Sequence, residues 1–152
     1  MKPRKHFWLV TIPVLAMAAV VCSPNESTAA EQSAIDPTGT WKVTKINPET
    51  KSKVSEKTLK LKLDGDKLSG TITGRSSING KVRIFEWGIK YSKLQGSDIT
   101  FTVTHAPVTG SGPDSTTTYE GKLTGDSMSG KMETEWNGHT FKSEWEAKRR
   151  KE

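Results

Sequence analysis

The sequence has a single cysteine, Cys22, in 152 residues, and only 32% of its residues are hydrophobic. One thiol excludes an internal disulfide framework. Long apolar runs are just as scarce. The one that stands out, residues 7–21 (FWLVTIPVLAMAAVV), falls short of the ~20 residues a helix needs to cross a bilayer. That excludes a multi-helix membrane protein and argues against a large fused core. Helical periodicity is also missing, so no helix is expected. What the chain does have is glycine, 13 residues, and a steady alternation of apolar with polar side chains.

Lys2, Arg4 and Lys5 stand directly before the apolar run, the layout of a secretory signal. Thr28-Ala29-Ala30 offers the small residues that a signal peptidase reads, so residues 1–30 are expected to be a signal peptide removed before Glu31. Cys22 offers a second outcome, an acylated lipoprotein cysteine, although Ala19-Val20-Val21 departs from the leucine and small residue usual ahead of such a site. Both outcomes imply export to the periplasm or the exterior, with membrane attachment only through a lipid on Cys22. Cleavage before Glu31 removes Lys2, Arg4, Lys5 and Glu26, which leaves 20 basic and 16 acidic residues and lowers the charge from +6 to +4. The remaining chain has no cysteine, and its stability must come from a packed core.

Residues 31–38 (EQSAIDPT) read as a tether, 39–149 as one β domain and 150–152 as a basic tail. Within the domain, eight strands follow one another. Trp41 and Val43 share a face. Leu59, Leu61 and Leu63 alternate with lysine, the period of two that marks a strand with one dry face. Asp64-Gly65-Asp66 turns the chain, and Leu68, Gly70, Ile72 and Gly74 return along the inner face. Residues 82–94 (VRIFEWGIKYSKL) change phase, with Val82 and Ile84 on one parity and Phe85, Trp87, Ile89 and Tyr91 on the other; Gly88 is the expected bulge. Ile99, Phe101, Val103 and His105 line up next, and the longest loops are expected at 47–56 and 106–115. Thr117, Tyr119, Gly121 and Leu123 follow, then Met128, Gly130, Met132, Thr134 and Trp136. Asn137-Gly138 is a strong hairpin signal, after which His139, Phe141, Ser143, Trp145 and Ala147 share the inner parity. The segments 63–72 and 123–132 repeat one pattern, L-x-G-D-x-[LM]-S-G-x-[IM], as a reused hairpin design. Eight consecutive antiparallel strands close most economically into an up-and-down barrel, which leaves no edge exposed; a β-sandwich is the rival.

Gly39-Thr40-Trp41 at the start of the first strand resembles the opening of the calycins, the lipocalins, fatty-acid-binding proteins and avidins. There a tryptophan closes one barrel end and a cation stacks across it. The resemblance implies that Trp41 is this tryptophan and that Lys148 or Arg149 is the cation. The phrases GTWKVT, EKTLKLKLDGDKLSGTITGR, SDITFTVT, YEGKLTGDSMSGK and SEWEAKR resemble a small secreted β-barrel domain of unknown function common in planctomycetes. That similarity implies a barrel and export, and it brings no functional residues with it. The segment 84–91 (IFEWGIKY) is more aromatic than is usual for that group.

Few residues offer catalysis. His105 and His139 fall on the inner parity, but no inward acid completes a metal site, so neither a metal nor a cofactor is expected. Ser143 and His139 are four residues apart on one strand, roughly 13 Å, too far for a nucleophile and its base. Glu86, set in the aromatic run, is the one acid on which a hydrolase or isomerase could be built. Four tryptophans (41, 87, 136 and 145) and Tyr91 and Tyr119 are a heavy aromatic load for a small interior. They either fill the barrel themselves or line a pocket for a small apolar or sugar-like ligand. The inward glycines 70, 74, 121 and 130 tilt this toward free space. The expected pocket residues are Trp87, Tyr91, His105, Tyr119, Trp136 and His139. A filled barrel serving as an envelope or protein-interaction module is the alternative. Lysines 60, 62, 122 and 142 form an ordinary solvated face, and the run 148–151 gives no reason to expect nucleic acid, only loose contact with acidic polysaccharide or lipid. A monomer is expected.

Overall fold

The computed structural model describes residues 35–108 and 110–151. The expected signal peptide (residues 1–30), with Cys22, and residues 31–34 of the expected tether lie outside them. Eight strands form: β1 (Gly39–Ile46), β2 (Lys53–Asp64), β3 (Lys67–Ile78), β4 (Lys81–Gln95), β5 (Asp98–His105), β6 (Ser115–Thr124), β7 (Ser127–Trp136) and β8 (His139–Arg149). Each pairs antiparallel with the next, and β8 pairs with β1, so the sheet is a closed up-and-down barrel and not a sandwich. β2 starts five residues before Thr58, which shortens the loop expected at 47–56.

Alternation is what curls these segments into a barrel. Trp41, Leu59, Leu61, Leu68, Ile72, Ile99, Phe101, Leu123, Met128, Trp145 and Ala147 all point inward and are buried. Each Leu, Ile, Phe or Met among them contributes about 1.5–3 kcal/mol by leaving water. Phe101 stacks on Tyr119 with centroids 4.7 Å apart, and Trp145 meets both edge-on at 6.1 and 5.6 Å. The indole N–H of Trp145 donates to the carbonyls of Glu120 (3.1 Å) and Lys131 (3.0 Å), so its one polar atom is satisfied.

The repeated pattern marks two equivalent hairpins, β2–β3 and β6–β7. Gly70 and Gly130 sit where the neighbouring strand passes so close that a Cβ would lie 2.1 Å from the Lys60 carbonyl oxygen and 1.9 Å from that of Glu120. Inward glycines therefore do not leave free space, contrary to expectation. At Gly121 the room is taken by the Trp145 ring, 2.7 Å from where a Cβ would be, and at Gly74 by the Trp87 ring at 3.2 Å.

The β3–β4 hairpin reaches past the closed part of the sheet, and at β7–β8 only strand β8 does so, since β7 stays paired with β6 as far as Trp136. The β2–β3 ladder stops at Thr58–Thr73 and the β4–β5 ladder at Ile89–Val103. Residues 74–78 and 81–87 consequently form a two-stranded ribbon that pairs only with itself. Its tip is Asn79-Gly80, with φ of +51° and +73°, the backbone of a type I′ turn. The β7–β8 hairpin has the same Asn-Gly tip, and its residues 139–143 lie beyond the last β1–β8 pair, Ile46–Glu144. Both tips project from the same end of the barrel.

The phase of β4 is corrected by the structure. Gly88 pairs regularly with Thr71, and the register instead shifts between Lys90 and Lys93. Tyr91 forms this bulge, with φ of +47° and its ring 85% exposed. Val82 and Ile84 face outward and are exposed. Beyond the bulge the inward parity passes to Ser92, whose hydroxyl donates to the Leu68 carbonyl, and to Leu94, which packs against the core.

Candidate functional site

The two ends of the barrel are built differently. One end is plugged. Trp41 is fully buried, its indole N–H donates to the Pro37 carbonyl at 2.9 Å, and the Arg149 guanidinium lies 4.2 Å over its ring. Arg149 also donates to the Asp126 carboxylate (2.8 Å), to the Asp36 carbonyl (2.8 Å) and to the Thr38 carbonyl. Arg149, not Lys148, is thus the stacking cation. Residues 35–38 are more than a tether: Pro37 is buried and Ile35 packs on the core.

The opposite end opens into a cavity of about 540 Å³. Val43, Phe85, Trp87, Tyr119, Met132 and Trp136 supply its apolar wall, and the β5–β6 loop borders it through Pro107, Val108 and Pro113. Phe85 and Trp87, two apart on β4, stack with centroids 5.8 Å apart, and the His105 ring stands edge-on to Trp87 at 4.5 Å. Tyr119 joins the cavity to the core: its ring stacks on Phe101, and burial pushes its hydroxyl well above the ordinary phenol value. Thr117 and Thr134 share a hydroxyl hydrogen bond of 3.0 Å in the wall.

Four of the six residues expected in a pocket meet here: Trp87, His105, Tyr119 and Trp136. Two do not. Tyr91 is on the outer surface, because the bulge turns it out of the barrel parity. His139 keeps the inner parity but sits on the projecting part of β8, above the rim and exposed, as does Phe141. Glu86 faces outward, where it accepts a 3.4 Å hydrogen bond from the Thr73 hydroxyl, and does not line the cavity that His105 borders. Among the described residues no cluster of three potential metal ligands occurs.

Charged residues unexpected from the sequence also line the cavity: Lys45, Glu56, Lys57 and Arg75. Lys45 and Lys57 continue the inner parities of Trp41–Val43 and Leu59–Leu61, a signal the alternation already contained. The Lys57 ammonium lies 5.5 Å from the Trp87 ring centroid. Burial, and secondarily Lys45, hold it below the ordinary lysine value. His105 is lowered to about 4 by burial first and then by Lys57, so its imidazole is neutral at neutral pH. Among the described residues its buried Nε2 has no hydrogen-bond partner. Glu56 is turned outward and pairs with Lys42 at 2.8 Å. A smaller outer groove of about 350 Å³ shares Glu56, Lys57 and Arg75 with the cavity, at the point where the β2–β3 ladder ends.

No protein family, curated protein or solved structure matches this chain.

Proposed function

We propose that this is an exported, monomeric, non-enzymatic barrel that holds one small molecule, with a flat apolar or sugar-like face, in the cavity at its open end. The observation that carries this reading is the cavity itself. At about 540 Å³ it falls in the range of small-molecule sites, and it is walled by Phe85, Trp87, Met132 and Trp136 with a few convergent polar groups. Eight-stranded barrels either fill their interior or hold one small ligand, and this one is filled from its plugged end through its middle and opens into the cavity at the other end.

Native mass spectrometry of the protein purified from its own host is the test. A bound species of small-molecule mass, lost in Trp87→Ala, is the expected result. A bare chain that also fails to bind apolar fluorophores overturns the reading. That outcome would favour the alternative, a protein-interaction module acting through the ribbon whose Val82 and Ile84 are 70% and 66% exposed.

A further inference from the structure

The charged lining of the cavity is one-sided. Lys45, Lys57 and Arg75 border it, and among the described residues none of the three forms an ion pair. The single acid of the lining, Glu56, is already paired with Lys42 on the outer face. Lys45 and Lys57 stand on adjacent strands, with Lys57 opposite Val43 and Lys45 opposite Ser55, so two inward ammonium groups share one corner of the wall. Desolvated charges in folded proteins are normally paired, because an unpaired one loses its hydration without return. Here the half-buried Lys57 has the face of Trp87 as its partner and no carboxylate.

We infer that the molecule held in the cavity is an organic anion, a flat apolar body bearing a carboxylate-type group, with its charge against Lys57 and Lys45 and its ring against Phe85 and Trp87. This rests on the ligand-binding reading proposed above and narrows it to a chemical class. An anion supplies the missing counter-charge, and it does so beside the aromatic pair on which a flat ring stacks. The lowered proton affinity of Lys57 has the same origin, burial beside another cation, and a bound anion would raise it again. A cationic ligand would meet Lys45, Lys57 and Arg75 with no free acid to receive it. A neutral one would leave Lys57 as uncompensated as before.

Three probes of one shape separate the possibilities: 2-naphthoate, 2-naphthalenemethanol and 2-naphthylmethylammonium, titrated calorimetrically against the full chain. Naphthoate is expected to bind about tenfold or more tighter than the alcohol, and the ammonium weakest. Lys57→Met should remove most of the preference for naphthoate, Lys45 supplying the remainder, while the alcohol still binds, and Lys57→Arg should retain the preference. Alcohol binding by Lys57→Met also verifies that the variant is folded. If the alcohol binds the wild type as tightly as naphthoate, the anion inference fails and the cavity reading stands. If none of the three binds, the cavity reading fails and the inference with it.

Discussion

The plugged end and the open end of this barrel are made from the same alternating strands, yet they spend their aromatic residues in opposite ways. At the plugged end and in the core behind it Trp41 and Trp145 are fully buried, each N–H is bonded to backbone carbonyls, and Arg149 ties strand β8 to residues 36 and 38. At the open end Trp87 and Trp136 line space, and among the described residues Lys45, Lys57 and Arg75 form no ion pair. The difference teaches that stability and recognition are separated along the barrel axis. A tryptophan surrounded on all sides holds the fold, and one with a free face is available to a partner.

Truncation is the hardest test of that division. Trp145→Ala should cost about 3–5 kcal/mol of unfolding free energy, because it empties the middle of the Phe101–Tyr119 cluster and orphans two carbonyl contacts. Trp87→Ala should cost only about 1 kcal/mol, since its ring already borders a cavity. Urea denaturation of the two variants measures both, and equal losses would erase the distinction.

Arg149→Ala comes next, at about 2 kcal/mol, for the lost stacking on Trp41 and the lost carbonyl and carboxylate bonds. Arg149→Lys should recover only part of this, because an ammonium cannot reach three acceptors in one plane. Full recovery would show that charge alone holds the plug.

Acid should loosen the open end first. The His105 imidazole has a pKa of about 4 in the fold against an ordinary 6.5. Above pH 6.5 it is neutral in both states and the shift has no effect. Between 6.5 and about 4 the unfolded chain takes up a proton that the native one refuses, so stability falls as the pH falls. With water reaching the cavity mouth, the loss is on the order of 1–2 kcal/mol. His105→Phe should flatten this part of the profile, followed by thermal denaturation at several pH values. At the plugged end Asp36, held below its usual 3.8 mainly by the Thr38 hydroxyl, begins to lose its contribution only under that value.

Strand count, order and closure were legible because alternation survives in every segment and because glycine-containing turns separate them. Four of the six expected pocket residues could be read from parity alone. Parity misled at Tyr91, where a bulge consumes one residue and flips the phase, and nothing in IFEWGIKY distinguishes Tyr91 from Gly88 as its site. It misled differently at His139, whose parity is right but whose strand has left the barrel; height along the axis depends on register with β1, which a single strand does not reveal. Lys45 and Lys57 were within reach. Extending the alternation of Trp41 and Val43 by one step, and that of Leu59 and Leu61 by one step back, turns both lysines inward.

Amide hydrogen exchange, with and without 2-naphthoate, tests the division of the barrel in a single data set. The account predicts that amides of Trp41, Leu59, Phe101 and Trp145 exchange only through global unfolding and ignore the probe. Amides of residues 74–87 should exchange faster alone, since their ribbon pairs with neither neighbour, and slow on adding the probe. Uniform protection along the barrel, unchanged by naphthoate, would contradict it.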